Sequence, residues 1–323
     1  MPKCVKCTTP LPEGANFCYK CGYPVGKVQV CRSCENCGAS LSSIDKYCSQ
    51  CGHSVRVVKS IDTKKIVPKI KTENIPNCIE IQKGKFFMGH ASFQTSVLLL
   101  NYFISDTPIT QRQYSYVMGQ DPSKLKGADR PVENVSWCDA LIYCNTLSSM
   151  QSLTPCYSIG SVIDLATFDQ TSPIWKRVTC NFTADGYRLP SEAEWEFAAR
   201  GGTNENPFHY SGSNNIEDVA WYGENSSITS HPVATKEPNS LGLYDMSGNV
   251  AEWCWDYFNP DLPSGTFTNP HGPAIGNQHV KRGGSWLDDK EQCTVLFRSG
   301  STQNAKSSSL GFRVCRTVLG ENI

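Results

Sequence analysis

The 323 residues carry 30 basic and 30 acidic side chains, a formal net charge of zero and an apolar fraction of 39%. That length suits one large domain with smaller companions, and the balanced charge excludes a global basic field for nucleic acid or anionic membrane. The longest apolar run, "SVLLLNYFI", is too short to span a bilayer.

The start, "MPKCVKC", lacks the apolar core of a signal peptide. The expectation is therefore a chain that begins here and works in the cytoplasm. Nine of the 17 cysteines fall in the first 51 residues. An odd total, a clustered half and no secretion signal fit metal-bound thiols better than a disulfide framework.

Cys4, Cys7, Cys18 and Cys21 read C-x2-C-x10-C-x2-C, and Cys34, Cys37, Cys48 and Cys51 repeat the pattern thirty positions on. Each C-x2-C pair forms a knuckle, and two knuckles close a tetrahedral four-sulfur zinc site. Units of roughly 20 residues bury too little core to fold alone. Metal must then supply the folding free energy, on the order of 10 kcal/mol per site. A redox dithiol needs a thioredoxin-like strand–helix context, which the repeat lacks. Cys31 is left over as a spare thiol. The pattern resembles double zinc ribbons, which implies a docking role toward a protein partner. Residues 1–27 and 28–54 are the two expected ribbons. The polar, mildly basic stretch 55–75 reads as a linker; base-reading aromatics and a basic stripe, which nucleic-acid contact needs, are missing.

From 76 to 318 short aromatic and β-branched segments alternate with Gly, Pro and Asn. Three helices announce themselves by capping pairs: Thr110 with Gln113, Ser136 with Asp139, and Ser191 with Glu194. In the second, Ala140, Leu141, Cys144 and Leu147 share one face, the spacing of a core stripe. In the third, Pro190 leads in and the Gly pair after Arg200 ends it. The remainder should be strands, turns and ordered loops, giving a mixed α+β domain.

"GYRLPSEAEWEFAARGG", "PNSLGLYDMSGNVAEWCWD", "RGGSW" and "GFRV" follow one another in the order found in the sulfatase-modifying factor family, that of the formylglycine-generating enzyme. The weaker matches "FFMG", "TPIT" and "RPVENVSWCDALIYC" precede them, so the resemblance covers about three quarters of the chain. It implies a variant of the C-type lectin fold, a scaffold shared by oxidases, ergothioneine-type synthases and binding proteins.

"DMSGNVAE" sets Asp245 and Glu252 seven residues apart around a Gly-Asn turn, a loop suited to a hard, oxygen-liganded cation. The resemblance implies calcium on the side chains of Asp245 and Glu252 and the carbonyls of Gly248 and Val250. The competing reading has Asp245 capping the turn and Glu252 paired with an arginine. The family's other calcium loop opens on Ala-Asn, whereas Trp221 stands at the Asn position here. One ion is therefore expected.

Family oxidases hold copper on two cysteines that follow the Gly-Gly-Ser-aromatic turn, because linear thiolate ligation suits reduced copper. Six residues separate Trp286 from Cys293, which matches the first; five further on stands Arg298 rather than a second cysteine. Copper is therefore not expected. The H-x3-E-x2-H iron pattern of the synthases is absent, and the six histidines show no metal-ligand spacing. Cys293 reads better as a small buried group.

The segment after "GGSW" also resembles the substituted region of variable proteins of diversity-generating retroelements, displayed on a rigid scaffold. Trp286, Leu287, Asp288, Asp289, Lys290, Leu296, Arg298, Gly300 and Thr302 are the expected contacts for a protein or small ligand bound through the 286–310 surface. The expectation is thus a binding protein; the alternative is a formylglycine-type oxidase with a degenerate copper site, or another oxidoreductase on the same fold.

Overall fold

The computed structural model describes residues 72–90, 95–203 and 208–320, with Arg32–Ser33, Ser40–Leu41 and Cys51. The expected zinc ligands other than Cys51, and linker residues 55–71, lie outside the described residues. The chain divides into two units, Met1–Lys71 and Thr72–Ile323. In the first, Arg32–Ser33 pairs antiparallel with Ser40–Leu41, two short strands that bracket the Cys34–Cys37 pair in sequence, and Cys51 is exposed. The second begins with a turn at Thr72–Asn74, four residues before the expected boundary.

In the large unit the three capped helices form where their caps place them. Thr110 opens α1 (Gln111–Met118), Ser136 opens α2 (Trp137–Met150) and Ser191 opens α3 (Glu192–Ala199). Each hydroxyl accepts the N3 amide while the N3 side chain accepts the cap amide, the reciprocal arrangement that satisfies two orphan donors. The stripe Ala140, Leu141, Cys144 and Leu147 on α2 is fully buried. A fourth helix, α4, is the single turn Ile216–Val219.

Among the described residues, four sheets complete the unit. In the first, β1 (Cys78–Ile81), β4 (Tyr102–Ser105), β13 (Cys315–Thr317) and β7 (Tyr187–Arg188) run antiparallel in that order. The second sets β2 (Gly84–Met88) against β3 (Thr95–Leu99), with β9 (Thr266–Thr268) parallel to β3. A ribbon joins β5 (Tyr157–Ile159) and β6 (Val178–Cys180). The fourth carries the site: β11 (Arg298–Ser301), β10 (His279–Arg282), β8 (Ala251–Tyr257) and β12 (Leu310–Gly311) in spatial order. Here β8 pairs antiparallel with β10 and parallel with β12, and β11 and β12 are the edges. The α+β class is as expected, and among the described residues no helix is long and apolar enough to cross a membrane.

Two aromatic-rich cores hold these layers. One gathers Trp137, Tyr143, Trp175, Trp253 and Phe312 around α2; the other gathers Val97, Ile104, Trp195, Phe197 and Cys254 around α3. At about 25 cal/mol per Å² and roughly 150–250 Å² per ring, each large aromatic contributes about 4–6 kcal/mol of gross transfer free energy, before ordering entropy.

Helix α3 is buried along its whole length although it carries three glutamates. A buried carboxylate is tolerated when paired and hydrogen-bonded, and each of the three meets arginine. Glu192 pairs with Arg298, Glu194 with Arg188, and Glu196 with both Arg282 and Arg200. Burial pushes Glu194 up, but the Arg188 guanidinium outweighs it and leaves the carboxyl below the usual range. The helix thus ties strands distant in sequence to the centre of the domain.

Candidate functional site

The turn at 283–286 is built by two glycines in the left-handed region, at φ 89° and 65°. A Cβ on Gly284 would stand 2.6 Å from the Gln292 carbonyl and 2.7 Å from the Cys293 sulfur, so glycine alone lets the turn close over the cysteine. Trp286 is then fixed on three sides. Its backbone N–H donates to the Asn249 carbonyl at 2.9 Å, its indole donates to the Ser308 carbonyl at 2.9 Å, and its carbonyl accepts the Ser226 hydroxyl at 2.8 Å.

Cys293 lies beneath that turn with no exposed surface, packed with Tyr210, Ile216, Val219, Ala220 and Tyr222. Its sulfur is 3.9 Å from the Ser285 carbonyl. Burial, reinforced by the Asp288 carboxylate, pushes the thiol up to about 12. Without a metal beside it, a thiol so placed stays protonated at neutral pH.

The expected contact residues divide in two. Leu287, Asp289, Lys290 and Thr302 are exposed, Leu287 by 60%. The rest are partly or wholly taken up by the scaffold. The Asp288 carboxylate accepts the Ser285 hydroxyl at 2.5 Å, while its carbonyl accepts the Gly223 amide. Leu296 packs on the second core. A Cβ on Gly300 would meet Phe258 at 2.7 Å. Arg298 grips both oxygens of Glu192 at 2.6 and 2.7 Å and donates to the carbonyls of Asn259 and Pro260. Of the residues expected to face a ligand, Trp286 is buried and Arg298 is engaged by Glu192.

The "DMSGNVAE" loop is held by protein donors. Asp245 is buried at φ 54°, one oxygen accepting the Ala234 amide at 2.8 Å and the other the Asn249 side chain at 3.2 Å. Both oxygens of Glu252 are engaged by Arg313 at 2.7 and 2.8 Å, and one also accepts the Trp195 indole at 2.7 Å. Gly248, at φ 75°, passes so close to the Trp221 backbone that no side chain fits there, and the next amide, that of Asn249, donates to the Trp221 carbonyl. Nor do the described residues bring three or more His, Cys, Asp or Glu together in a possible metal cluster. Calcium on Asp245, Glu252 and the carbonyls of Gly248 and Val250 would therefore have to share Glu252 with the Arg313 guanidinium.

Sequence reasoning missed the two hollows beside this sheet. One, of about 330 Å³, is lined by Met88, Val97 and Phe267 with Glu192, Asp256 and Arg298. There Asp256 is pushed well above the usual carboxylate range by burial and by Glu192, whose amide it accepts at 2.9 Å. The other, of about 230 Å³, brings together His271 and His279, which no spacing rule connects. The aromatic sequence "EWCWDY" signals β8 but not which of its rings face open space.

The family described as the sulfatase-modifying factor enzyme 1-like domain matches residues 63–318, and the double zinc ribbon matches residues 4–52. "Chaperone protein LppX" of Paenibacillus barcinonensis is 35% identical over 257 residues, covering 73% of this chain and 88% of that protein. The formylglycine-generating enzyme of Streptomyces coelicolor is 36% identical over 155 residues, which are 43% of this chain and 49% of the enzyme. The chain thus matches about half the length of that enzyme. Among solved structures, Treponema denticola variable protein 1 superposes with a TM-score of 0.69 at 36% identity, covering 74% of this chain and 94% of that one. With the family matched over most of its length and its fold shared by that structure, this chain belongs to the sulfatase-modifying factor family and carries a double zinc ribbon ahead of that domain.

Proposed function

We propose that the large unit is a non-catalytic binding module on the sulfatase-modifying factor scaffold. The observation that carries this reading is the state of Cys293, a fully buried thiol pushed up to about 12. The residue at the second copper position, Arg298, is meanwhile held by Glu192. Two-coordinate copper needs two accessible thiolates. The exposed residues Leu287, Asp289, Lys290 and Thr302 then form the recognition face for a protein or small ligand. The likeness to Treponema denticola variable protein 1 supports a place among proteins whose residues here are substituted from copy to copy.

The ribbons would bind two zinc ions and dock a protein partner, a reading supported by the family match at residues 4–52. Protein donors, in place of calcium, would hold the Asp245–Glu252 loop. The unbridged thiols of Cys78, Cys138, Cys144, Cys156, Cys180, Cys254, Cys293 and Cys315 support residence in the reducing cytoplasm.

The competing reading, an oxidase with a degenerate copper site, rests on the likeness to formylglycine-generating enzymes. Anaerobic Cu(I) titration of the zinc-loaded full chain separates the two. The binding reading expects identical copper uptake by wild type and Cys293→Ala. A tight stoichiometric site lost in the variant would support the oxidase.

A further inference from the structure

Asp256 borders the 330 Å³ hollow and not the 230 Å³ one, and it is 4% exposed. Its Oδ2 accepts the Glu192 amide at 2.9 Å, and among the described residues no other residue donates to Oδ1. The described side-chain atoms sealed from solvent without a partner belong to Ser96, Glu133, Tyr143, His279 and Arg282. Oδ1 of Asp256 is not one of them, so it keeps open surface, and the opening that Asp256 borders is this hollow. Gly272, at φ 75°, lines the same hollow beside it. A Cβ there would stand 2.9 Å from Oδ1, so glycine leaves that oxygen uncovered.

A buried carboxyl with one oxygen unpartnered calls for a partner, and the surrounding charges say which kind. Glu192, Asp256 and Asp261 border the hollow against a single guanidinium, that of Arg298. Arg298 is already committed: Nε and Nη2 hold Glu192, and Nη1 donates to the carbonyls of Asn259 and Pro260. Acceptors therefore outnumber free donors. Burial and the Glu192 carboxylate push Asp256 well above the usual carboxylate range, which favours its neutral form until a cation arrives. Met88, Val97, Leu262 and Phe267 supply apolar wall. An apolar cavity of about 150 Å³ admits benzene, so 330 Å³ accommodates one ring or a short alkyl chain with a polar head. We propose that this hollow binds a primary ammonium carried on a compact apolar body, with the ammonium on Asp256 Oδ1 and the body against Met88, Val97 and Phe267. Asp256 lies outside the 286–310 surface. The inference is independent of the non-catalytic reading, and its failure would leave that reading untouched.

Compounds that differ only in the head group provide the test, because a site built around a polar contact rejects an analogue that cannot make it. Calorimetry and saturation-transfer NMR on the zinc-loaded full chain at neutral pH would compare benzylamine, benzyl alcohol and benzoate. Benzylamine should bind, benzyl alcohol should bind at least about tenfold more weakly, and benzoate should be weaker still. The N-acetyl, N-methylamide derivative of lysine separates the sources of the ammonium. Binding on a par with benzylamine points to a lysine side chain of a protein partner, and binding of benzylamine alone points to a free amine. Asp256→Asn keeps an acceptor for the Glu192 amide and removes the carboxylate, so it should bind benzylamine no better than benzyl alcohol. Equal binding of benzylamine and benzyl alcohol by wild type, benzoate binding as tightly as benzylamine, no binding of any compound at millimolar concentration, or a preference for the amine that survives in Asp256→Asn would each overturn the proposal. The wild-type comparison decides even where the variant does not fold.

Discussion

Arg298 on edge strand β11 and Glu192 at the first turn of α3 form a two-pronged ion pair, Nε to Oε1 at 2.6 Å and Nη2 to Oε2 at 2.7 Å. Their separation in sequence is 106 residues. The pair places the carboxylate at the positive end of the helix dipole and anchors the edge strand to the core.

Removing one partner of this pair leaves a buried charge uncompensated, apart from Arg282 at 3.6 Å. Arg298→Ala should therefore lower stability by about 2–3 kcal/mol, less than for a fully isolated carboxylate. Urea unfolding would read it. A change below about 0.5 kcal/mol would mean that Arg298 is free to serve as a ligand contact.

Glu252 and Arg313 make the corresponding prediction for the calcium loop. Glu252→Gln should cost about 3–5 kcal/mol by orphaning a guanidinium with no exposed surface. Calcium added to chelator-treated protein should leave the unfolding midpoint of the large unit unchanged. A saturable rise on calcium addition that Glu252→Gln abolishes would show that Glu252 leaves Arg313 for an ion.

His279 sets a pH dependence. Its folded-state value, about 4, lies below the ordinary 6.5, so between these values the unfolded chain binds more protons than the folded one. Stability is then fully present above pH 6.5 and falls with pH toward 4 by roughly 3 kcal/mol from this residue. His271 is lowered to about 4 as well and contributes with the same sign. His279→Phe should flatten the slope in this window, and an unchanged slope in urea titrations from pH 4 to 7 would contradict the assignment.

The three helices were legible because capping is local: Thr110, Ser136 and Ser191 each act on a residue three positions away. The burial of Cys293 was legible from residue type and the missing partner cysteine. The engagement of Arg298 was not, because Glu192 lies on another element and only the tertiary fold joins them. The strands, two to seven residues long and spread over four sheets of the large unit, are too short for periodicity to set their pairing. Sequence spacing marks out none of the six histidines, and the setting of His279 depends on Trp137 and Trp255, brought beside it from α2 and β8.

The ribbon repeat predicts two zinc ions per chain from its eight cysteines taken in fours. Native mass spectrometry of the intact chain should show both, and Cys34→Ser should lose one. A zinc content unaffected by that substitution would contradict the four-sulfur assignment.

The central claim is that Cys293 supports a binding face and performs no oxidation. The most direct measurement incubates the full chain with copper, oxygen and a cysteine-containing sulfatase-type peptide, then traps any peptide aldehyde with a hydrazide for mass spectrometry. The account predicts no aldehyde above the level given by Cys293→Ser. Aldehyde formed by wild type and lost in that variant would contradict it.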